Sequence, residues 1–322
     1  MRFKNLKIVT LVFIFVMLNG CSFYHTAYVK SKGGNLESFG RETILPQYIP
    51  PKNCKVLFKH WNQRFVVYNL SLKKEIKELM GGNYFGYSFK VKSDYYTVGD
   101  SYTNGFSIVK CDGERIKEIY RLKDQKWQAI FPLATDGKKI FFIVGYYKPA
   151  IGHNINEKYR IIARWDYKNK KLIEYRYTKG AICDGTIIGK FLYYTSYDFE
   201  KEKYEIYKLN IANAKNKPQL IGKFEKLMGL YNINEELYIW NGKEFFCFSK
   251  PVEKIYFNKA FDVIYIGNNN ILVFYTDSFA RIAADIIDVK SRIVKKTFTN
   301  IVAVNFEGDQ VVIYGDGYIE KF

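Results

Sequence analysis

Short apolar runs separated by turn residues follow one another from about residue 54 to the C-terminus, and this pattern constrains the chain more than any other feature. The run Glu236 to Trp240, the pair Asn241-Gly242 and the run Lys243 to Phe248 have the form of a hairpin. An Asn-Gly pair between apolar runs is the strongest short-range hairpin signal, because a type I′ turn needs positive φ at both central residues. Phe106 to Lys110, Asp112-Gly113 and Arg115 to Leu122 repeat the device, as do Val311 to Tyr314, Gly315-Asp316-Gly317 and Tyr318 to Phe322. No segment after residue 60 sustains a helical period; Ser71 to Met80 is the best candidate and amounts to one or two turns. With 28 Tyr and 26 Phe, the composition favours strands over helices.

A second regularity joins the hairpins into a larger unit. Val67 to Asn69 before Lys73 to Ile76, Arg164 to Asp166 before Lys170 to Ile173, Tyr207 to Asn210 before Pro218 to Ile221, and Ile286 to Asp288 before Arg292 to Val294 share one form. Each is an apolar strand ending in Asp or Asn, a polar turn, and a return strand opened near a polar or basic residue. Asp or Asn recurs there because its side chain bonds the turn backbone. A further strand precedes several of these units behind its own turn: Asp136-Gly137 before Ile140 to Val144, Asp184-Gly185 before Phe191 to Thr195, and Asn268 to Asn270 before Ile271 to Tyr275. The unit recurs about every 40 to 50 residues, a length that resembles β-propeller blades of four strands. The resemblance covers nearly the whole chain after the N-terminal region and implies an all-β propeller of six to seven blades, seven fitting slightly better, with a tandem of β-sandwiches or a β-solenoid as the alternative architectures. Its motifs are sparse: one Trp-Asp pair at Trp165-Asp166 and one diglycine at Gly81-Gly82.

The N-terminus carries a different signal. Arg2, Lys4 and Lys7 precede an apolar run from Ile8 to Leu18, followed by Leu18-Asn19-Gly20-Cys21. A basic start and a short apolar stretch ending at a small residue make a secretory signal. The stretch from Ile8 to Cys21 would rise only about 20 Å as a helix, short of the ~30 Å hydrocarbon core. The final tetrad resembles the lipobox of bacterial lipoprotein precursors. That resemblance implies that Cys21 is the lipidation site, that residues 1–20 are removed as signal peptide, and that an acylated chain is held at a membrane outside the cytoplasm, either the cell membrane or an outer membrane. Residues 21–52, with Gly33-Gly34, Pro46 and Pro50-Pro51, then form the lipidated cysteine and a flexible tether, and residues 53–322 form the propeller-like domain.

Charge and cysteine content are interpreted against that leader. Fifty Lys and Arg, less the three in the leader, stand against 32 acids and leave a balance near +15. Such a surface attracts anionic partners, here a glycan or a lipid surface, while the lysines are dispersed and no nucleic-acid recognition motif occurs. Nucleic acid is therefore not an expected partner. Setting Cys21 aside leaves Cys54, Cys111, Cys183 and Cys247, enough for one or two disulfides in an oxidising compartment or for buried thiols.

Chemistry-bearing residues are few. His25 falls in the tether, His60 precedes Trp61, and His153 sits in the Gly-Asn loop from Ile151 to Asn156; none is placed for a metal site or a Ser-His-Asp triad. Carboxylate pairs of the glycosidase kind are offered by Asp94 with Asp100 and by Asp198 with Glu200, beside Tyr95-Tyr96 and Tyr193-Tyr194. Acids at strand ends are more economically explained as turn formers, and in each aromatic pair one ring is expected in the core because alternate residues face opposite sides. No catalytic residue, cofactor or metal ligand is predicted. The leading expectation is a non-enzymatic envelope lipoprotein presenting a rigid face to a protein partner, similar in kind to the propeller lipoprotein of the outer-membrane protein assembly machinery, whose motifs do not match here. The alternative is a surface lipoprotein that binds or cleaves an acidic glycan.

Overall fold

A computed structural model describes residues 55–60, 64–69, 84–85, 88–91, 94–101, 105–111, 116–122, 128–149, 155–178, 181–257, 260–278, 281–307 and 310–322. These residues form strands and turns and no helix, and every strand pairing is antiparallel. Cys21, His25, His153 and Ser71 to Met80 lie outside the described residues.

Among the described residues, six sheets follow one another along the chain. The first holds β1 (Lys55–His60), β2 (Arg64–Asn69), β3 (Tyr84–Phe85), β4 (Ser88–Val91), β5 (Asp94–Ser101), β6 (Gly105–Cys111) and β7 (Ile116–Arg121), ordered β1-β2-β4-β5-β6-β7 with β3 on β5. The second holds β8 (Gln128–Thr135), β9 (Ile140–Pro149), β10 (Ile155–Asp166) and β11 (Lys171–Thr178). The third holds β12 (Ala181–Ile188), β13 (Phe191–Asp198), β14 (Lys203–Asn210) and β15 (Gln219–Phe224), and the fourth β16 (Gly229–Ile233), β17 (Glu236–Trp240), β18 (Glu244–Cys247) and β19 (Lys254–Tyr256). The fifth holds β20 (Ala260–Gly267), β21 (Asn270–Thr276), β22 (Ile282–Asp288) and β23 (Val294–Phe298); β24 (Ile301–Glu307), β25 (Gln310–Gly315) and β26 (Tyr318–Lys321) complete the sixth. Within the second to sixth sheets, spatial order is chain order.

The core lies between sheets. On β9, Ile140, Phe142 and Val144 pack against Val91, Val98 and Ile108 of the first sheet, while Phe141 and Ile143 pack against Ile182, Leu192 and Tyr194 of the third. On β21, Ile271 and Val273 meet Tyr231 and Trp240 of the fourth sheet, while Leu272 and Phe274 meet Val311 and Ile313 of the sixth. A sheet covered on both faces needs apolar residues at consecutive positions, and Ile140 to Val144 and Ile271 to Phe274 supply them. This changes the expectation for the aromatic pairs. Phe141 and Phe142 are both buried, because the two faces to which they point are both interior.

The turns bear out the Asx pattern at three positions, relocate one expected turn and change the type of another. Asp166, Asn210 and Asp288 end the third strands of their sheets, and each accepts turn N–H groups through Oδ1: from Lys168 at 3.0 Å, Ala212 at 3.0 Å, and Lys290 at 3.0 Å with Ser291 at 2.8 Å. Asp184-Gly185, expected as a turn, instead lies inside β12, where the register against β13 shifts between Ile182 and Gly185. The chain reverses at Gly189-Lys190, so β12 is a strand hidden in the apparent turn region. The same bulge recurs in β8 between Pro132 and Ala134, in β20 between Ala260 and Asp262, and in β24 between Ile301 and Ala303. At Asn241-Gly242, only Gly242 has positive φ, at 94°. Asn241 Oδ1 accepts from the N–H groups of Lys243 at 3.0 Å and Glu244 at 2.8 Å, so Asn241 caps the turn rather than entering a type I′ centre.

Candidate functional site

First strands β8, β12, β16 and β20 lie side by side in that order, with β4 beside β8. Side-chain bonds fix their relative direction. The Leu230 amide donates to Asp184 Oδ2 at 3.0 Å, and two residues further along Asn232 Nδ2 donates to the Ile187 carbonyl at 2.9 Å. The Tyr231 hydroxyl donates to the Val263 carbonyl at 3.0 Å, and Asn234 Nδ2 bonds Asn269 Oδ1. In both pairs numbering rises together, so β12, β16 and β20 run parallel. Their edges are joined by side chains rather than by a backbone ladder.

Two buried acids sit on this row, both beside bulges, the kind of irregularity that re-aims a side chain. Asp184 is fixed from two directions: its amide donates to Thr195 Oγ1 at 3.1 Å, and its carboxylate receives the Leu230 amide. Asp262 is buried on β20, and its Oδ1 accepts the Val263 amide at 2.8 Å. Burial pushes the Asp262 carboxyl up to about 7, the backbone hydrogen bond opposing the shift. Near it, Trp240 is fully buried against Tyr231, Phe245 and Val263, and its Nε1 has no hydrogen-bond partner among the described residues.

The acids singled out in the sequence fall elsewhere. Asp198 and Glu200 occupy the turn between the second and third strands of the third sheet, not the row of first strands. Asp198 Oδ1 accepts from the Glu200 and Lys201 amides at 3.0 and 3.2 Å, and Oδ2 receives Lys201 Nζ at 2.6 Å. The Lys201 bond, then the two amides, holds its carboxyl below the usual range, as for a turn former. Asp94 and Asp100 lie at either end of β5, Asp94 opposite Val91 and Asp100 opposite Tyr84 and Phe106; His60 ends β1. Among the described residues, no group of three or more His, Cys, Asp or Glu could hold a metal ion. The Cys247 thiol is buried and unbridged, with Sγ 3.1 Å from Ser249 Oγ, so the four cysteines after Cys21 cannot form two disulfides.

Sequence reasoning missed Asp184 and Asp262 as buried groups. The signal was present for Asp184, an acid inside the apolar run from Ala181 to Ile188, but Asp-Gly also matches a turn. A second cluster combines aromatics with charge. Lys208 Nζ stands 4.1 Å from the Phe191 ring centroid and 5.8 Å from that of Tyr193, and Lys190 Nζ is 5.6 Å from Phe191. Two ammonium groups thus share one ring, a geometry that stabilises cations and leaves both positive charges near the surface.

No family model matches the chain, and no curated protein matches it. Among solved structures it is similar to a puromycin-hydrolysing peptidase of Mycobacterium tuberculosis, with 11% identity and a TM-score of 0.52 over 73% of this chain and 44% of that one. The chain therefore spans less than half the length of that peptidase, and at such identity the likeness concerns the β-rich fold alone. An Aleuria aurantia lectin solved with Fucα1-6GlcNAc aligns over 62% of this chain and 73% of its own at 13% identity, but its TM-score of 0.35 bears no argument. The class these features define is an all-β protein of successive antiparallel sheets in which the first strands β12, β16 and β20 run parallel, side by side.

Proposed function

We infer that the protein is a membrane-anchored lipoprotein of the cell envelope, lipidated at Cys21, whose body is a β-propeller serving as a non-enzymatic platform for a protein partner. The observation that carries the reading is the row of first strands. Consecutive sheets stack face to face with a separate apolar cluster in each gap, and β1 lies beside β24, which supports a propeller. Asp184 accepts the Leu230 amide of the next sheet, which ties one first strand to another, and Asp262 accepts the amide of its own neighbour Val263. A scaffold of this build offers exposed outer strands for β-augmentation; β23 is exposed from Val294 to Thr297. Crosslinking intact envelopes and capturing the tagged chain should recover a reproducible protein partner, and recovery of none across independent preparations defeats the platform role.

A second reading, a surface lipoprotein that binds an acidic glycan, draws on Lys190 and Lys208 over Phe191 and Tyr193. Substituting both lysines with Ser should abolish retention on an acidic-polysaccharide column if that reading holds. Retention that is unchanged removes it.

A further inference from the structure

In a sheet whose strands run in order, the turn between the first and second strands and the turn between the third and fourth lie at the same end. The parallel first strands bring these ends together for consecutive sheets. This end is rich in cations: Lys168 and Lys170 in the second sheet, Lys190, Lys215 and Lys217 in the third, and Lys290 in the fifth are all exposed, and none forms an ion pair among the described residues. Several acids there are held locally. Asp166 and Asp288 are bound by their own turns, Glu236 by Lys250 at 3.3 Å, and Glu253 by Arg292 at 3.5 Å, leaving Glu235 as an exposed acid.

Apolar side chains stand among these cations. Val252, at the tip of the turn between β18 and β19, is 89% exposed, and Ile293, beside Arg292, is 62% exposed. At the opposite end the exposed apolar residues Phe199, at 57%, and Tyr256, at 71%, stand among both signs of charge, Asp198, Glu200 and Glu202 with Lys201, Lys203 and Lys243. Protruding apolar tips within a field of lysines are suited to a bilayer interface, where the apolar groups enter the headgroup boundary and the cations meet anionic lipid. We propose that this turn-bearing end docks on an anionic phospholipid surface, so that the domain lies against the membrane instead of standing off on its tether. The proposal rests on the anchored-lipoprotein reading for its proximity to a membrane, and on charge complementarity for its lipid class.

The test uses the whole chain reconstituted on vesicles containing brominated phosphatidylglycerol, with Val252→Trp and Phe199→Trp compared against the parent. Val252→Trp should gain quenching beyond the parent's own tryptophans, and Phe199→Trp should gain none. Combining Lys168→Glu, Lys170→Glu and Lys290→Glu should raise the anionic lipid needed for half-maximal quenching by more than about tenfold. Equal quenching at positions 199 and 252, equal quenching in brominated phosphatidylcholine, or retention on a soluble acidic polysaccharide with position 252 unquenched each overturns the proposal. A chain that stays on vesicles in high salt while position 252 is unquenched refutes docking alone. One that high salt releases, although quenched at low salt, refutes the anchor alone.

Discussion

Asp262 shows how one position couples burial to pH. Its carboxyl has a folded value of about 7 against an unfolded value near 3.8, so between those limits the native state binds the extra proton. Stability should fall as pH rises from about 4 to about 7 and level off above, by up to several kcal/mol. Urea unfolding of Asp262→Asn should show a flatter pH profile than the parent and a higher midpoint at pH 8; parallel profiles count against the assignment. Lys170, the fourth residue after Asp166, has a φ of 49°, and Arg292, the fourth after Asp288, has 62°. Left-handed backbone costs an L-residue about 1–2 kcal/mol, part of which glycine recovers. Lys170→Gly should therefore be neutral or stabilise by up to about 1 kcal/mol, while Lys170→Val should destabilise by about 1 kcal/mol or more, as read from denaturation midpoints. The Asx caps before these positions were legible in the sequence because a single side chain and its own turn suffice to make them.

Strands are where sequence reading met its limit. The second and third strands β9, β10, β13 and β14 contain the predicted apolar runs and extend beyond them, since each run is bounded by a turn with local chemistry. First strands were harder: β12 carries Asp184-Gly185 and β20 carries Asp262, polar residues that interrupt the apolar pattern. Those residues are tolerated only because a neighbouring sheet supplies an amide to Asp184 and because a bulge turns each backbone locally. The links between first strands can be tested one at a time. Asp184→Ala leaves the buried Leu230 amide without its acceptor and should cost about 1–3 kcal/mol. Tyr231→Phe keeps the ring and frees only the Val263 carbonyl, so about 1 kcal/mol is expected in the same assay. If Tyr231→Phe proved the costlier of the two, the carboxylate bond would not be the stronger tie between sheets.

At the scale of the molecule, the sheets form a series in which each gap is filled by residues from both neighbours. Phe141, fully buried between the second and third sheets, should cost about 3–5 kcal/mol on truncation to Ala, and the loss should appear as one cooperative transition if the sheets unfold together. The anchor is tested separately. Cys21→Ser should abolish incorporation of radiolabelled palmitate and leave the chain uncleaved or released; unchanged labelling and fractionation would defeat the lipobox reading. The acids Asp198 and Glu200, attractive as a pair beside Tyr193-Tyr194, were legible as residues but not as a role. Their turn lies away from the row of first strands, and nothing local in the sequence specifies which end of a sheet a turn occupies.

What the sequence determined by itself is the set of short-range features: an all-β chain, Asx-capped turns at Asp166, Asn210 and Asp288, hairpins at regular intervals, and an N-terminus resembling a lipobox at Cys21. Each depends on a few adjacent side chains and their own backbone. Tertiary structure alone decided that both Phe141 and Phe142 are core, that Asp184 ties one sheet to the next, and that lysines from three sheets gather at one end. Those outcomes depend on which faces meet across long loops, and stacking, not local propensity, sets that arrangement.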